Sequence, residues 1–384
     1  MKKIAVVTAT RAEYGLLSPV IKELRKYENS ELKIDLIVTG THLSEQYGMT
    51  INDISERVDH VIPVSVKSDT VLNISENQAD VLVKFSELFL KEHYNAVFIL
   101  GDRYESLAIA IAAGNTRTPL FHLCGGDTTE GAIDEWIRHS ITKISYLHFV
   151  TNEVSMKRVI QLGEDPKRVF NFGSTSIDNI LSIADMSKSE ALDSVGLLDC
   201  KYALCTYHPV TMEEENVDWL IDEFLCAIRE YPELQFIITK SNADQGGARI
   251  NELLDDAEKR MENIHVYASL GIRRYLSLMR YSEFVLGNSS SGIIETPSFH
   301  IPTVNIGDRQ RGRLQSESIV NCKPDRKSID DAIKVAMSNE HKALCKTVVS
   351  PFGNGHAARR IAEKAIEIVL SEKIDLKKSF FDLR

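Results

Sequence analysis

Acidic and basic side chains gather at a few short, glycine-marked turns of this chain. Leu100-Gly101-Asp102-Arg103 brings a carboxylate and a guanidinium out together. Soon after, Cys124-Gly125-Gly126-Asp127-Thr128-Thr129-Glu130-Gly131 leads into Asp134-Glu135-Trp136-Ile137-Arg138-His139. Carboxylates so close in sequence are costly unless solvated or used, and using them means general acid and base chemistry. Each also has a plain structural explanation. Asp102 and Asp134 suit helix N-caps, and Glu135, Arg138 and His139 suit a solvated helix face.

A second set suits anion binding. Thr8-Ala9-Thr10-Arg11-Ala12-Glu13-Tyr14-Gly15 sets an arginine beside a helix start, where backbone N–H groups favour negative charge, although a tight turn with a surface arginine would read the same way. Thr206-Tyr207-His208-Pro209-Val210-Thr211 ends a strand on a histidine, which on its own is a weak signal. Leu286-Gly287-Asn288-Ser289-Ser290-Ser291-Gly292-Ile293-Ile294-Glu295-Thr296-Pro297 feeds a strand into a hydroxyl-rich turn and a helix; one N-cap serine would not need three. Such a turn cradles a diphosphate, and Glu295, a helical turn on, can accept from a ribose diol. Arg309, Arg311 and Arg313 then alternate after a further strand, fit either for bidentate phosphate recognition or for a solvated basic loop.

These turns need strands to present them. Ile4–Thr8, Ile34–Thr39, Ala96–Leu100, Leu120–Leu123 and Tyr146–Val150 read as strands, with helical spacing over Leu16–Tyr27, Ile74–Lys91, Tyr104–Ala113 and Asp134–Ile144. A second series follows at Tyr202–Thr206, Phe236–Thr239, Ile264–Tyr267, Phe284–Gly287 and Thr303–Ile306. The alternation predicts an α/β protein of two doubly wound, Rossmann-like lobes. Residues 1–185 form the N-terminal lobe with the carboxylates, and 186–384 the C-terminal lobe that binds nucleotide diphosphate. The boundary falls in the polar stretch Ser182–Lys201, where Ser187-Lys188-Ser189-Glu190 interrupts the rhythm. The last helix, His356–Ser371, is expected to pack back toward the N-terminal lobe.

Bulk properties narrow the classes. A length of 384 residues exceeds what one core usually supports, and 43% hydrophobic with 26% charged residues is ordinary for globular proteins. A net charge of -10 argues against nucleic acid as partner. The short apolar run after Met1-Lys2-Lys3 reads as a strand rather than a signal peptide, and no stretch approaches the ~20 apolar residues of a membrane span. Six scattered cysteines without a Cys-x-x-Cys pair suggest neither a zinc site nor a disulfide framework, and fit the cytoplasm. No Gly-x-Gly-x-x-Gly or Walker loop is present, so NAD and ATP are not indicated. With arginines to neutralise a diphosphate, neither a metal nor a cofactor is expected.

Taken together, Arg11, the Gly101-Asp102-Arg103 turn, the helix with Asp134, Glu135, Ile137, Arg138 and His139, His208-Pro209-Val210-Thr211 and the Gly287–Gly292 turn resemble the UDP-N-acetylglucosamine 2-epimerase family. The hydrolysing branch, which feeds sialic and legionaminic acid synthesis, fits best. The resemblance runs from Ile4 to about Ala365. It implies a glycosyltransferase-B-like fold with the active site in the interdomain cleft, a nucleotide-sugar substrate and a homodimer. It also implies proton transfer by Asp102 and Asp134, with Arg11, Arg103, His208, Ser289, Ser290, Glu295 and Arg309 on the nucleotide diphosphate. His208 is counted with the catalytic groups as well, and His42, Asn242 and Gly292 complete the expected binding set. Two departures stand out: Cys124 replaces a glutamate of some relatives, and Ala9 a common glycine. A thiol cannot serve as a carboxylate base, so Asp127 or Glu130 takes that role, or the role lies elsewhere. A non-hydrolysing epimerase, a glycosyltransferase of the same fold and a non-catalytic nucleotide-sugar sensor are the rival readings.

Overall fold

The computed structural model describes residues 1–384 apart from 46–47, 67–69, 130–132, 184, 210–215, 242–246, 372–373 and 384. Continuous apolar runs make central strands because both faces of a parallel sheet are covered. Strands β1 (Lys2–Thr8), β2 (Leu32–Val38), β3 (His60–Val61), β4 (Ala96–Leu100), β5 (Leu120–Leu123), β6 (Leu147–Val150) and β7 (Val169–Asn171) form the first sheet. Their order is β3-β2-β1-β4-β5-β6-β7, and every pairing is parallel. Strands β8 (Tyr202–Thr206), β9 (Gln235–Thr239), β10 (Ile264–Tyr267), β11 (Phe284–Gly287), β12 (Thr303–Ile306) and β13 (Ile319–Cys322) form the second. It too is all parallel, in the order β10-β9-β8-β11-β12-β13.

Both sheets thus share one doubly wound order, as the alternation of elements predicts. The chain divides into two compact units: Met1–Asp127, Ile133–Asp178 and Phe352–Arg384 make one, and Asn179–Pro351 with Thr128–Ala132 the other. In the first, Ile4, Val6, Leu36 and Phe98 pack with Ile361, Ala362 and Ala365 of the last helix, Ala357–Ser371. Opposite them, Ala5, Val7 and Ile99 pack with Phe85, Phe89, Ile109 and Ile141. The second unit has matching cores around Phe224, Phe236 and Ile333 and around Tyr202, Leu278 and Met279. Among the described residues no helix is long and apolar enough to cross a membrane.

Most predicted elements lie where expected, and the differences have local causes. The first helix begins at Arg11 rather than Leu16, because Thr10 and Glu13 form a capping box. Ser187-Lys188-Ser189-Glu190, read as an interruption, is another capping box that starts a helix at Lys188–Asp193. The strands without a sequence signal, β3, β7 and β13, are at most four residues long and lie at or near the sheet edges. Half-exposed and short, they carry no periodicity to read.

In each sheet the strand order reverses once, between β1 and β4 and between β8 and β11. The crevice beyond the C-terminal strand ends at such a reversal is where open α/β sheets bind ligands. The turns after β1, β4, β8 and β11 are the ones singled out above by their residue types.

Candidate active site

In the first unit, Gly101 leaves β4 with φ 81, a left-handed conformation that glycine adopts without strain. Its N–H donates to Leu123 O (3.1 Å) and its carbonyl accepts from His122 Nε2 (2.9 Å). That bond fixes the tautomer of a fully buried ring whose pKa burial pushes down to about 3. Asp102 follows, and it is not an N-cap: Arg103 holds that position for the helix Tyr104–Thr116, without a side-chain capping bond. Asp134 is not a cap either. It is the first residue of the helix Asp134–Ile144, after Ile133.

What holds Asp102 is Arg138. This arginine is 1% exposed, one of the largest fully buried side chains. Its Nε donates to Asp102 Oδ2 at 3.0 Å, and Nη2 makes a closer second bond to the same oxygen. Nη1 donates to Asp127 O (2.8 Å) and to Glu135 Oε2 (3.1 Å), and Glu135 Oε1 meets His139 Nε2 at 3.1 Å. The solvated-face explanation therefore fails for Arg138. Pairing of β4 with β5, which sets Leu100 beside Leu123, is what brings the Asp102 turn against the loop at Asp127. Asp102 keeps 29% of its side chain exposed, so the carboxylate is both held and reachable.

Asp127 is anchored differently. Its Oδ1 accepts from Ser155 Oγ (2.5 Å), Thr151 Oγ1 (3.1 Å) and Asn152 Nδ2 (3.5 Å). Gly126 (φ 80) precedes it so closely packed that an added Cβ would lie 2.3 Å from Ser155 O. Cys124 stands at φ 63 with its N–H on Phe149 O. Glu130 lies outside the described residues.

Across the reversal, Glu13 knots β1 to β4. Its Oε2 accepts from Ala9 N (2.7 Å) and Thr10 N (3.1 Å), and Oε1 from Ser106 Oγ (3.3 Å). Burial pushes its carboxyl up to about 7, against the pull of Arg103. Arg103 pairs through Nε with Glu105 Oε2 (3.2 Å), and Arg11 is solvent-exposed in the first helical turn. His42, expected at the nucleotide, is instead fully buried. Its ring nitrogens lie 3.0 Å from Thr8 Oγ1 and 2.9 Å from Thr50 Oγ1, and burial lowers its pKa to about 4. With both nitrogens on hydroxyls, it ties the end of β1 to Thr50.

In the second unit, the predicted helix after β11 is two one-turn pieces, Ser291–Ile294 and Thr296–Phe299, which meet at Glu295 just before Pro297. Ser289, Ser290 and Glu295 are half-buried there. Gly292 packs so tightly that an added Cβ would meet Thr303 Cγ2 at 2.9 Å. His208 is 7% exposed, with Nδ1 3.2 Å from Ser241 Oγ. Burial, helped by the positive Arg309, pushes its imidazole down to about 3. Arg309 Nη1 donates to Asn288 O (3.1 Å), whereas Arg311 is exposed and near Asp308. Asn242 lies outside the described residues.

The family model described as UDP-N-acetylglucosamine 2-epimerase matches residues 22–366. The chain belongs to that family. Among its relatives is the Campylobacter jejuni protein named GDP/UDP-N,N'-diacetylbacillosamine 2-epimerase (hydrolyzing), 37% identical, with 100% of this chain and 99% of the relative covered. Another is the Escherichia coli polysialic acid biosynthesis protein P7, 36% identical over 100% and 98%. Among solved structures, that of UDP-GlcNAc 2-epimerase from Neisseria meningitidis bound to UDP-GlcNAc aligns with TM-score 0.83 at 19% identity, covering 96% of this chain and 100% of that one. The two-unit α/β fold is thus the glycosyltransferase-B-like fold of the 2-epimerases.

Within this epimerase, residue types alone left out three groups that organise the site. Glu13 was legible in principle, since Thr10-x-x-Glu13 is the capping-box pattern. Arg138 and Asn288 were not, because their partners lie 36 and 80 residues away in sequence.

Proposed function

We propose that this chain is a hydrolysing 2-epimerase of nucleotide-linked 2-acetamido sugars. It takes a UDP- or GDP-linked sugar of the N-acetylglucosamine or 2,4-diacetamido-6-deoxy class, adds water, and releases the free 2-epimer and the nucleoside diphosphate. The observation that carries this reading is Asp102, emerging at the first unit's strand reversal with buried Arg138 on Oδ2 and part of its side chain still exposed. The word "hydrolyzing" in the Campylobacter relative's name supports the choice of branch.

The chemistry follows from the substrate. A C2 proton of a 2-acetamido sugar is weakly acidic, so its removal must be coupled to departure of the diphosphate. A carboxylate takes the C2 proton, the C1–O bond breaks with its electrons going to the diphosphate, and a C1–C2 double bond forms. Water then adds its oxygen to C1, and a proton returns to C2 from the opposite face. We assign Asp102 and Asp134 to these proton transfers. Asp127, with three donors on Oδ1, shapes the loop, and Arg138 is a positioning residue. Arg11, Arg103, His208, Ser289, Ser290 and Arg309 are assigned to the diphosphate, where negative charge grows in the transition state, and Glu295 to the ribose.

NMR of product formation in D2O tests the reading. Free 2-epimer carrying deuterium at C2, together with free nucleoside diphosphate, is expected with water as the only co-substrate. Nucleotide-linked epimer without free sugar would instead indicate the non-hydrolysing reaction, and a requirement for an acceptor a glycosyltransferase. Running UDP-N-acetylglucosamine beside UDP- and GDP-linked diacetamido sugars identifies the substrate.

We further propose a cytoplasmic homodimer. The helix Val71–Glu92 exposes Leu72, Val83 and Leu90, at 68%, 57% and 60%, along one stripe. Exposed Ile111 and Trp136 lie on the next two helices in turn. Apolar surface of this kind marks an interface. Light scattering should give twice the chain mass, falling to one chain for Val83→Glu.

A further inference from the structure

Asn288 lies beneath the turns assigned to the diphosphate and is 1% exposed. Its side-chain amide holds the backbone of His208 at both ends: Oδ1 accepts from His208 N–H and Nδ2 donates to His208 C=O, each at 2.7 Å. Its own N–H donates to Thr206 O (3.1 Å). Its carbonyl accepts from Arg309 Nη1 (3.1 Å) and Gln310 Nε2 (2.8 Å). One residue thereby joins the ends of β8, β11 and β12. The close approach depends on Gly287 at φ 134, where an added Cβ would lie 2.0 Å from Thr206 O.

This pattern does more than satisfy buried polar groups. The amide closes a two-bond ring with the N–H and the C=O of one residue, spanning the two peptide units on either side of the His208 Cα, which fixes the backbone from which the His208 ring projects. The carbonyl restrains a guanidinium whose freedom would otherwise be lost on binding. We propose that Asn288 is the positioning residue of the diphosphate site: it pre-organises His208 and Arg309 for the phosphates without contacting them. The inference rests on the reading that the second unit binds a nucleoside diphosphate.

Asn288→Asp is nearly isosteric and still accepts from His208 N–H. It cannot donate to His208 C=O, and it sets a carboxylate beside Arg309. Calorimetric titration with UDP and GDP, and NMR titration with uridine and guanosine, separate the diphosphate from the rest of the ligand. Loss of one buried anchor, with the new carboxylate facing His208 C=O in its place, should weaken the bound diphosphate by about tenfold to hundredfold. The matching nucleoside should shift by less than about twofold, because the hydrogen bonds of Asn288 run to Thr206, His208, Arg309 and Gln310 rather than to Glu295, the group assigned to the ribose. Asn288→Ala should show the same contrast if it folds; if it does not, the aspartate variant decides. Unchanged diphosphate affinity, or equal weakening of diphosphate and nucleoside, would overturn the proposal. Wild-type protein that binds neither UDP nor GDP would overturn the underlying reading first.

Discussion

In the proposed reaction a carboxylate gains and loses a proton and needs a fixed direction, which Arg138 gives Asp102 through two bonds to one oxygen. Arg138 spans Asp102, the Asp127 carbonyl and Glu135, so it sets the spacing of the acidic cluster while balancing its charge. A planar fork does this better than an ammonium, which is a point charge. Asp102→Asn keeps size and polarity but removes the proton acceptor. Turnover should fall by about 10²- to 10⁴-fold while UDP affinity stays within about threefold. Kinetics alongside calorimetry checks this, and full turnover by the variant would remove Asp102 from the chemistry. Arg138→Lys keeps the charge and loses the fork, so kcat should drop more than about tenfold with the fold retained. Arg138→Ala removes a buried side chain that links two half-buried carboxylates to the Asp127 carbonyl, and should lower stability by about 1–3 kcal/mol in urea unfolding.

At the scale of elements, the helix Asp134–Ile144 matters most, because it carries Asp134, Glu135 and Arg138 and is held at both ends. At its start, Gly126 lets the Asp127 loop lie against Ser155. Gly126→Ala is strained by both its φ of 80 and the contact at 2.3 Å, and should cost more than about 1 kcal/mol and lower kcat. At its end, Lys378 of the C-terminal segment donates to Lys143 O (2.9 Å) and Ser145 O (2.6 Å) and pairs with Glu164 (2.6 Å). An ammonium there satisfies last-turn carbonyls and complements the helix dipole. Lys378→Met should therefore lose about 1–3 kcal/mol, read as a fall in melting temperature, with UDP affinity unchanged. The same elements show what was legible. Ala96–Leu100 and Phe284–Gly287 were readable because an unbroken apolar run ends at a glycine turn. The edge strand β3, two residues long, offered no pattern. Spacing placed Arg138 on a helix, but only strand pairing shows that its face is the buried one.

The molecule as a whole carries a conflict between buried histidines and acids raised by burial, Glu13 foremost. Burial lowers His42 to about 4 and His122 and His208 to about 3. A depressed histidine gives stability that is complete above the unfolded pKa near 6.5 and is lost as pH falls toward the folded value. Glu13 acts in the opposite sense. Burial raises it to about 7, so the folded state keeps a proton that the unfolded chain releases above about 4.5, and its contribution shrinks as pH rises through that window. Between about pH 4.5 and 6.5, unfolding takes up three protons at the histidines and releases one at Glu13, a net uptake of about two. His148, also lowered by burial, adds in the histidine direction. Each net proton changes stability by about 1.4 kcal/mol per pH unit, so the three histidines and Glu13 together lower stability across the window, an effect that Asp178 and Glu56, whose carboxyls burial also raises, reduce. Urea unfolding at pH steps from 7 to 4.5 should show that loss. Glu13→Gln removes the opposing term, so the variant should lose stability more steeply, by about one further proton, as pH falls from 6.5 to 4.5. A slope equal to that of the wild type would mean that Glu13 is ionised in the fold, and that the turn after β1 holds a charge instead of a proton.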